Sequence, residues 1–100
     1  MPENTNGTPQ EGAMQLVLYS KPGCHLCEGL EEKIQAITEF PIALAVRDIR
    51  TNDAWLQAYE FEIPVVCGVT AAGQEQPFPR ISPRSTVAQV AQWLQKHYTA

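Results

Sequence analysis

Apolar and polar positions fall along this chain in blocks with two different periods. Gln15-Leu16-Val17-Leu18-Tyr19 is a short apolar run closed by Ser20-Lys21-Pro22-Gly23, the pattern of a buried strand that ends in a turn. From Cys24 onward Leu26, Leu30, Ile34 and Ile37 return at spacings of four, four and three, with Glu28, Glu31, Glu32 and Gln35 on the other face. That spacing predicts an amphipathic helix over 24–37. Phe40-Pro41 breaks it, and the branched stretch from Ile42 to Ile49 predicts a second buried strand. A strand, helix and strand in this order make a right-handed crossover between parallel strands. The helix N-terminus then lies at the carboxyl end of the first strand, where α/β folds commonly place their chemistry.

Further along, Thr51-Asn52-Asp53 offers caps for a short helix through Trp55, Leu56 and Tyr59, and Glu62-Ile63-Pro64-Val65-Val66 opens a third strand running to about Val69. Ala71-Ala72-Gly73 turns the chain, and Glu75 to Ile81 can pair back antiparallel, with Pro77 and Pro79 confining that strand to an edge. Ser85 caps a last helix whose Val87, Val90, Ala91, Leu94 and Tyr98 share a face. The expected architecture is α/β, a βαβ unit followed by αββα, with a four-stranded mixed sheet flanked by helices.

Length and composition narrow the field. One hundred residues suffice for one domain and one core, assigned here to 14–100, with the polar stretch 1–13 read as a disordered tail. The net charge of -4 and the dispersal of seven Lys and Arg leave no basic stripe for a nucleic acid. No apolar run approaches the roughly 18 residues of a membrane span, and the first residues lack the basic start and apolar run of a secretory signal. The expectation is a soluble, cytoplasmic protein, with its length favouring a monomer.

Three cysteines without a secretory signal do not read as a disulfide scaffold, and two of them, Cys24 and Cys27, stand at C-x-x-C spacing. Three apart at a helix start, they lie about one turn from each other on a similar face, close enough for a disulfide. The unpaired N–H groups and dipole of the helix N-terminus stabilise a thiolate on Cys24, making it the better nucleophile. The implied chemistry is attack by Cys24 on a disulfide, a mixed disulfide, and displacement by Cys27. A closed zinc site needs about four ligands, and the remaining candidates are Cys67, His25, His97 and carboxylates, so redox chemistry is favoured over a resident metal.

The segment Tyr19-Ser20-Lys21-Pro22-Gly23-Cys24-His25-Leu26-Cys27, taken with Ile63-Pro64-Val65-Val66, resembles a glutaredoxin-like protein of the thioredoxin superfamily over roughly residues 14–98. The resemblance implies a thioredoxin-like fold and a Pro64 in the cis form facing the redox pair, whereas an X-Pro bond read from the residues alone defaults to trans. It implies that the backbone of Ile63 binds substrate as a short added strand. No bound cofactor is expected; the partners expected are disulfide-containing proteins or low-molecular-weight thiols as substrates, with glutathione or a reductase as electron donor. Glutathione-using members hold the tripeptide with a Gly-Gly pair and an Asp, where this chain has Phe78-Pro79-Arg80-Ile81-Ser82-Pro83-Arg84-Ser85. A different class is also open through the resemblance, a protein whose Cys24 helps hold a metal or iron-sulfur cluster across a dimer.

Other residues carry weaker signals. His25 could stabilise the neighbouring thiolate as an imidazolium or be an exposed loop residue. Lys21 could add positive potential near Cys24 or simply solvate the turn. Cys67, three residues beyond Pro64, falls roughly 10 Å along a strand from the pair and reads as a buried structural thiol. Arg80 and Arg84 could receive a carboxylate, and Trp55, Tyr59, Trp93 and Tyr98 read as helix-face packing.

Overall fold

A computed structural model of the chain describes residues 12–99. Most of the expected tail therefore lies outside the described residues. In chain order the elements are β1 (Met14–Ser20), α1 (His25–Gln35), β2 (Ile42–Asp48), a 3-10 turn (Ile49–Thr51), α2 (Asp53–Tyr59), β3 (Val65–Val69), β4 (Glu75–Pro77) and α3 (Val87–His97). They build a four-stranded sheet in the order β2-β1-β3-β4. β2 runs parallel to β1, and β3 and β4 each run antiparallel to their neighbours.

β1 is apolar throughout because both of its faces are covered. Leu16 and Leu18 join Leu30, Ile34, Val90 and Leu94 in a core beneath α1 and α3. Val17 and Tyr19 point to the opposite face, where Ile49 and Cys67 meet Trp55, Leu56 and Tyr59 of α2. β3 divides in the same way, with Val66 on the α1/α3 face and Cys67 on the α2 face. Among the described residues, no helix is long and apolar enough to cross a membrane.

Several boundaries differ from the sequence expectation for local reasons. α1 begins at His25, and Cys24 is its N-cap, with extended backbone and a side chain that accepts from Cys27 N–H. Its end tightens into a 3-10 turn, with Ala36 N–H shared between the Glu32 and Lys33 carbonyls and Ile37 N–H bonded to Ile34. β2 is an edge strand with Ala45 and Val46 exposed, so it is less buried than its composition suggested. It stops at Asp48, whose carboxylate accepts from Arg50 N–H and turns the chain.

β3 starts at Val65, after a cis Ile63–Pro64 bond. The cis form is the one the family resemblance implied, against the trans default of the residues alone. β4 is only three residues long. Pairing ends one bond later, where Phe78 N–H reaches the Val66 carbonyl; the next hydrogen-bonded pair in this register would set Arg80 against Pro64, which has no N–H to give. The cap of α3 is Thr86, one residue beyond the expected Ser85. Thr86 and Gln89 form a reciprocal capping box that Ser85, followed three residues later by Ala88, cannot make.

Candidate active site

β1 delivers the chain to the site. Beyond Ser20, Lys21-Pro22-Gly23-Cys24 closes as a tight turn in which Cys24 N–H donates to the Lys21 carbonyl at 3.3 Å. Gly23 has a φ of 83°, the left-handed value that the third residue of a type II turn requires, and Pro22 presets the residue before it. The turn places Cys24 at the N-cap of α1 and Cys27 one helical turn on.

The two sulfurs are joined as a disulfide, with the Cα atoms 5.3 Å apart. Cys24 Sγ also accepts a hydrogen bond from Cys27 N–H at 3.2 Å, the position of an N-cap oxygen in other helices. The sulfurs differ in access. Cys27 is 0% exposed, whereas Cys24 is partly open to solvent. A reagent in solution therefore meets Cys24 first.

The antiparallel register Tyr19↔Val65 brings Pro64 to the same end of the sheet as the Cys24 turn. Beside Pro64 opens a cleft of about 320 Å³ whose lining on the α1 side starts at His25 and Leu26, just past Cys24. Its wall on α1 continues through Gly29, Leu30 and Lys33. Across from them stand Pro64 to Val66, Pro77 to Pro83, and Val90 and Trp93 of α3. The irregular segment 79–83 is tied down on three sides. Lys33 Nζ donates to the Pro83 carbonyl at 2.8 Å, Arg80 donates to the Glu62 carbonyl at 3.0 Å, and Trp93 Nε1 donates to the Pro79 carbonyl at 3.1 Å.

Of the residues singled out in the sequence, His25 and Pro64 line this cleft, while Lys21 and Ile63 do not. His25 is 95% exposed, with Nδ1 3.7 Å from Glu28 Oε1. Lys21 is exposed, and its backbone carbonyl is the group that holds the turn. Ile63 packs against the α2 face, and its N–H donates to the Tyr59 carbonyl at 3.1 Å. Arg80 lines the cleft, and Arg84 lies in a separate surface hollow with Gln89 and Lys96.

Cys67 is a buried free thiol on the other face of the sheet, beneath α2. Burial pushes its thiol up to about 11, the Glu75 carboxylate adding to the rise and the Tyr59 hydrogen bond opposing it. The same face holds a polar cluster that sequence reasoning missed. Tyr19 donates its hydroxyl hydrogen bond to Glu75, and Arg47 donates to both Tyr19 and Glu75 at 2.7 Å while its guanidinium stacks over Trp55. Tyr19 is raised to about 12, first by burial and then by its bond to Glu75. Among the described residues, no three His, Cys, Asp or Glu side chains gather to hold a metal ion within one copy of the chain.

Comparison with known proteins agrees with the geometry. The family described as Glutaredoxin-like domain (DUF836) matches residues 15–95, which include the Cys24–Cys27 pair and Pro64. No curated protein matches the chain. Among solved structures, the chain is similar to Northeast Structural Genomics target protein XcR50 from X. campestris, with a TM-score of 0.51 and 24% identity over 81% of this chain and 96% of that one. That likeness carries the fold, a thioredoxin-like arrangement of sheet and helices.

Proposed function

Because the chain belongs to the glutaredoxin-like domain family, we propose that it is a thiol-disulfide oxidoreductase in which Cys24 and Cys27 cycle between dithiol and disulfide. The observation that carries this is the asymmetry of the pair, an accessible Cys24 at the N-cap of α1 bonded to a Cys27 that solvent does not reach. In the dithiol form, Cys24 is the group that the helix N-terminus and the Cys27 N–H favour as a thiolate. It attacks one sulfur of a substrate disulfide. A bond forms between Cys24 and that sulfur as the substrate S–S bond breaks, and the departing thiolate takes up a proton.

Cys27, after losing its proton, then attacks Cys24 Sγ. The Cys24–Cys27 bond closes, the second substrate thiol leaves, and two electrons have passed from the protein to the substrate. The cycle is completed by an external thiol donor, glutathione or a reductase. Pro64 lines the cleft that starts at His25, and the carbonyl of Ile63 supplies an acceptor for a substrate N–H.

The test is a redox titration. Equilibration of the protein with glutathione or dithiothreitol couples, with free thiols counted by mass, gives a reduction potential of roughly -200 to -270 mV, the span of glutaredoxins and thioredoxin. Cys27→Ser accumulates a mixed disulfide at Cys24, and Cys24→Ser does not. A pair that never interconverts at any poise overturns the proposal.

A further inference from the structure

α1 carries a glycine in its interior at a place where packing does not ask for one. Glycine inside a helix weakens it relative to alanine, and a close neighbour is the common structural reason for keeping it. Gly29 has no such neighbour. A Cβ built there meets nothing within 4 Å, and its backbone is not in the left-handed region. The open space beside it is the cleft, whose α1 wall it forms together with Leu26 and Leu30.

The size and chemistry of that space specify what fits it. At about 320 Å³ it holds many times the roughly 30 Å³ share of one water molecule, enough for the largest side chains. Its depth is carbon, reaching core residues Val66, Phe78 and Val90. The two strong cations in its walls are already engaged with the chain itself, Lys33 with the Pro83 carbonyl and Arg80 with the Glu62 carbonyl. Glu62 adds a carboxylate 3.8 Å from Arg80. A small charged thiol such as glutathione thus meets an apolar floor, with Arg80 already paired to Glu62 and Lys33 bonded to a backbone carbonyl. Leu26, 55% exposed, lines the cleft and adds apolar surface open to solvent.

We propose that this cleft receives a bulky apolar side chain adjacent to the cysteine of a polypeptide disulfide, and that the lack of a large side chain at position 29 keeps it open. The proposal rests on the redox reading of Cys24 and Cys27. The lining starts one residue past Cys24, so the residue next to a cysteine bonded to Cys24 sits at the cleft mouth.

The experiment is a single-turnover reaction of pre-reduced protein with two symmetric peptide disulfides, one with Phe beside its cysteine and the other with Ser. Each turnover converts one peptide disulfide to two peptide thiols and closes Cys24–Cys27, so no further reductant is needed. The second-order rate constant for the Phe peptide is expected to exceed that for the Ser peptide by about tenfold or more, the range for burying a large apolar side chain. Gly29→Leu fills the cleft and brings that ratio within about twofold of one, while its thermal midpoint rises as expected for removing a helical glycine. Gly29→Ala, too small to fill the cleft, keeps the ratio. Equal rates for the two peptides in the parent protein overturn the cleft assignment and leave the redox reading standing. A ratio that survives Gly29→Leu, or that is lost equally in Gly29→Ala, overturns it too. Failure to reduce either peptide overturns both proposals.

Discussion

Replacing Gly68 with alanine tests how tightly the sheet is closed over its main core. Gly68 lies in β3, buried, paired with Leu16 on one side and Gln76 on the other. A Cβ there comes within 2.9 Å of Phe78 Cε1, 3.0 Å of Tyr98 Cδ1 and 3.2 Å of Phe78 Cζ. Ordinary carbon contacts sit at about 3.5–4.0 Å, so two rings must retreat by half an ångström or more. Neither has slack. Phe78 is held edge-on against Trp93, with ring centres 5.3 Å apart. Tyr98 is pinned through its hydroxyl, which donates to the Val69 carbonyl and accepts from Gln15 N–H.

Overpacking of this kind costs about 1–3 kcal/mol, and the reduced freedom of the unfolded chain returns roughly 0.4–1 kcal/mol. The net loss is about 1–2 kcal/mol. For a domain of this size that lowers the thermal midpoint by roughly 5–15 °C. Thermal unfolding of the oxidised protein followed by circular dichroism reads it directly. The same substitution made in a Phe78→Leu background should cost less, because one of the two rings is gone. A midpoint in Gly68→Ala equal to or above that of the parent would refute the reasoning.

Two further outcomes follow from the opposite face of the sheet. Cys67, buried and raised to about 11, is expected to react with a thiol reagent at pH 8 about a hundredfold more slowly than a free cysteine in the folded, oxidised protein; labelling at the free-cysteine rate removes the thiol from the core. Tyr19 keeps its proton in the folded state up to about 12 while the unfolded chain loses it near 10, so stability falls as pH rises through that window, by about 2–3 kcal/mol in all. Urea unfolding of Tyr19→Phe at a series of pH values between about 10 and 12 should show a shallower decline than the parent, and parallel declines would assign the alkaline loss to other groups.

Where the sequence was informative, local chemistry and tertiary demand agreed. The Pro22-Gly23 turn, the cysteine spacing and the run of branched residues each specify backbone geometry without help from distant segments, and they place Cys24 and Cys27 at the start of α1. Neighbour number is different. The branched composition of β2 announces a strand but not that it stands at an edge, since one flank or two is decided by the path of the whole chain. Ser85 and Thr86 are nearly equivalent caps by type, and the Gln89 that selects Thr86 is a signal available in the sequence. The cleft is the least legible part, because its walls come from α1, the end of α2, the turn before β3, the segment after β4 and α3. A helical glycine and three closely spaced prolines, Pro77, Pro79 and Pro83, were its only marks in the linear sequence.

The register of β3 has a chemical consequence beyond packing. Side chains alternate along a strand, so a slip of one residue against β1 would exchange Val66 and Cys67 between faces. A third thiol would then enter the core beneath α1, on the face that carries Cys27. In the observed register Cys67 is separated from the Cys24–Cys27 pair twice over, by the thickness of the sheet and by its pairing with Val17, well back from the end of β1 that leads to Cys24. Burial and the Glu75 charge keep it in the thiol form besides. The fold therefore holds three cysteines within one small domain while leaving a single sulfur, Cys24, partly open to solvent.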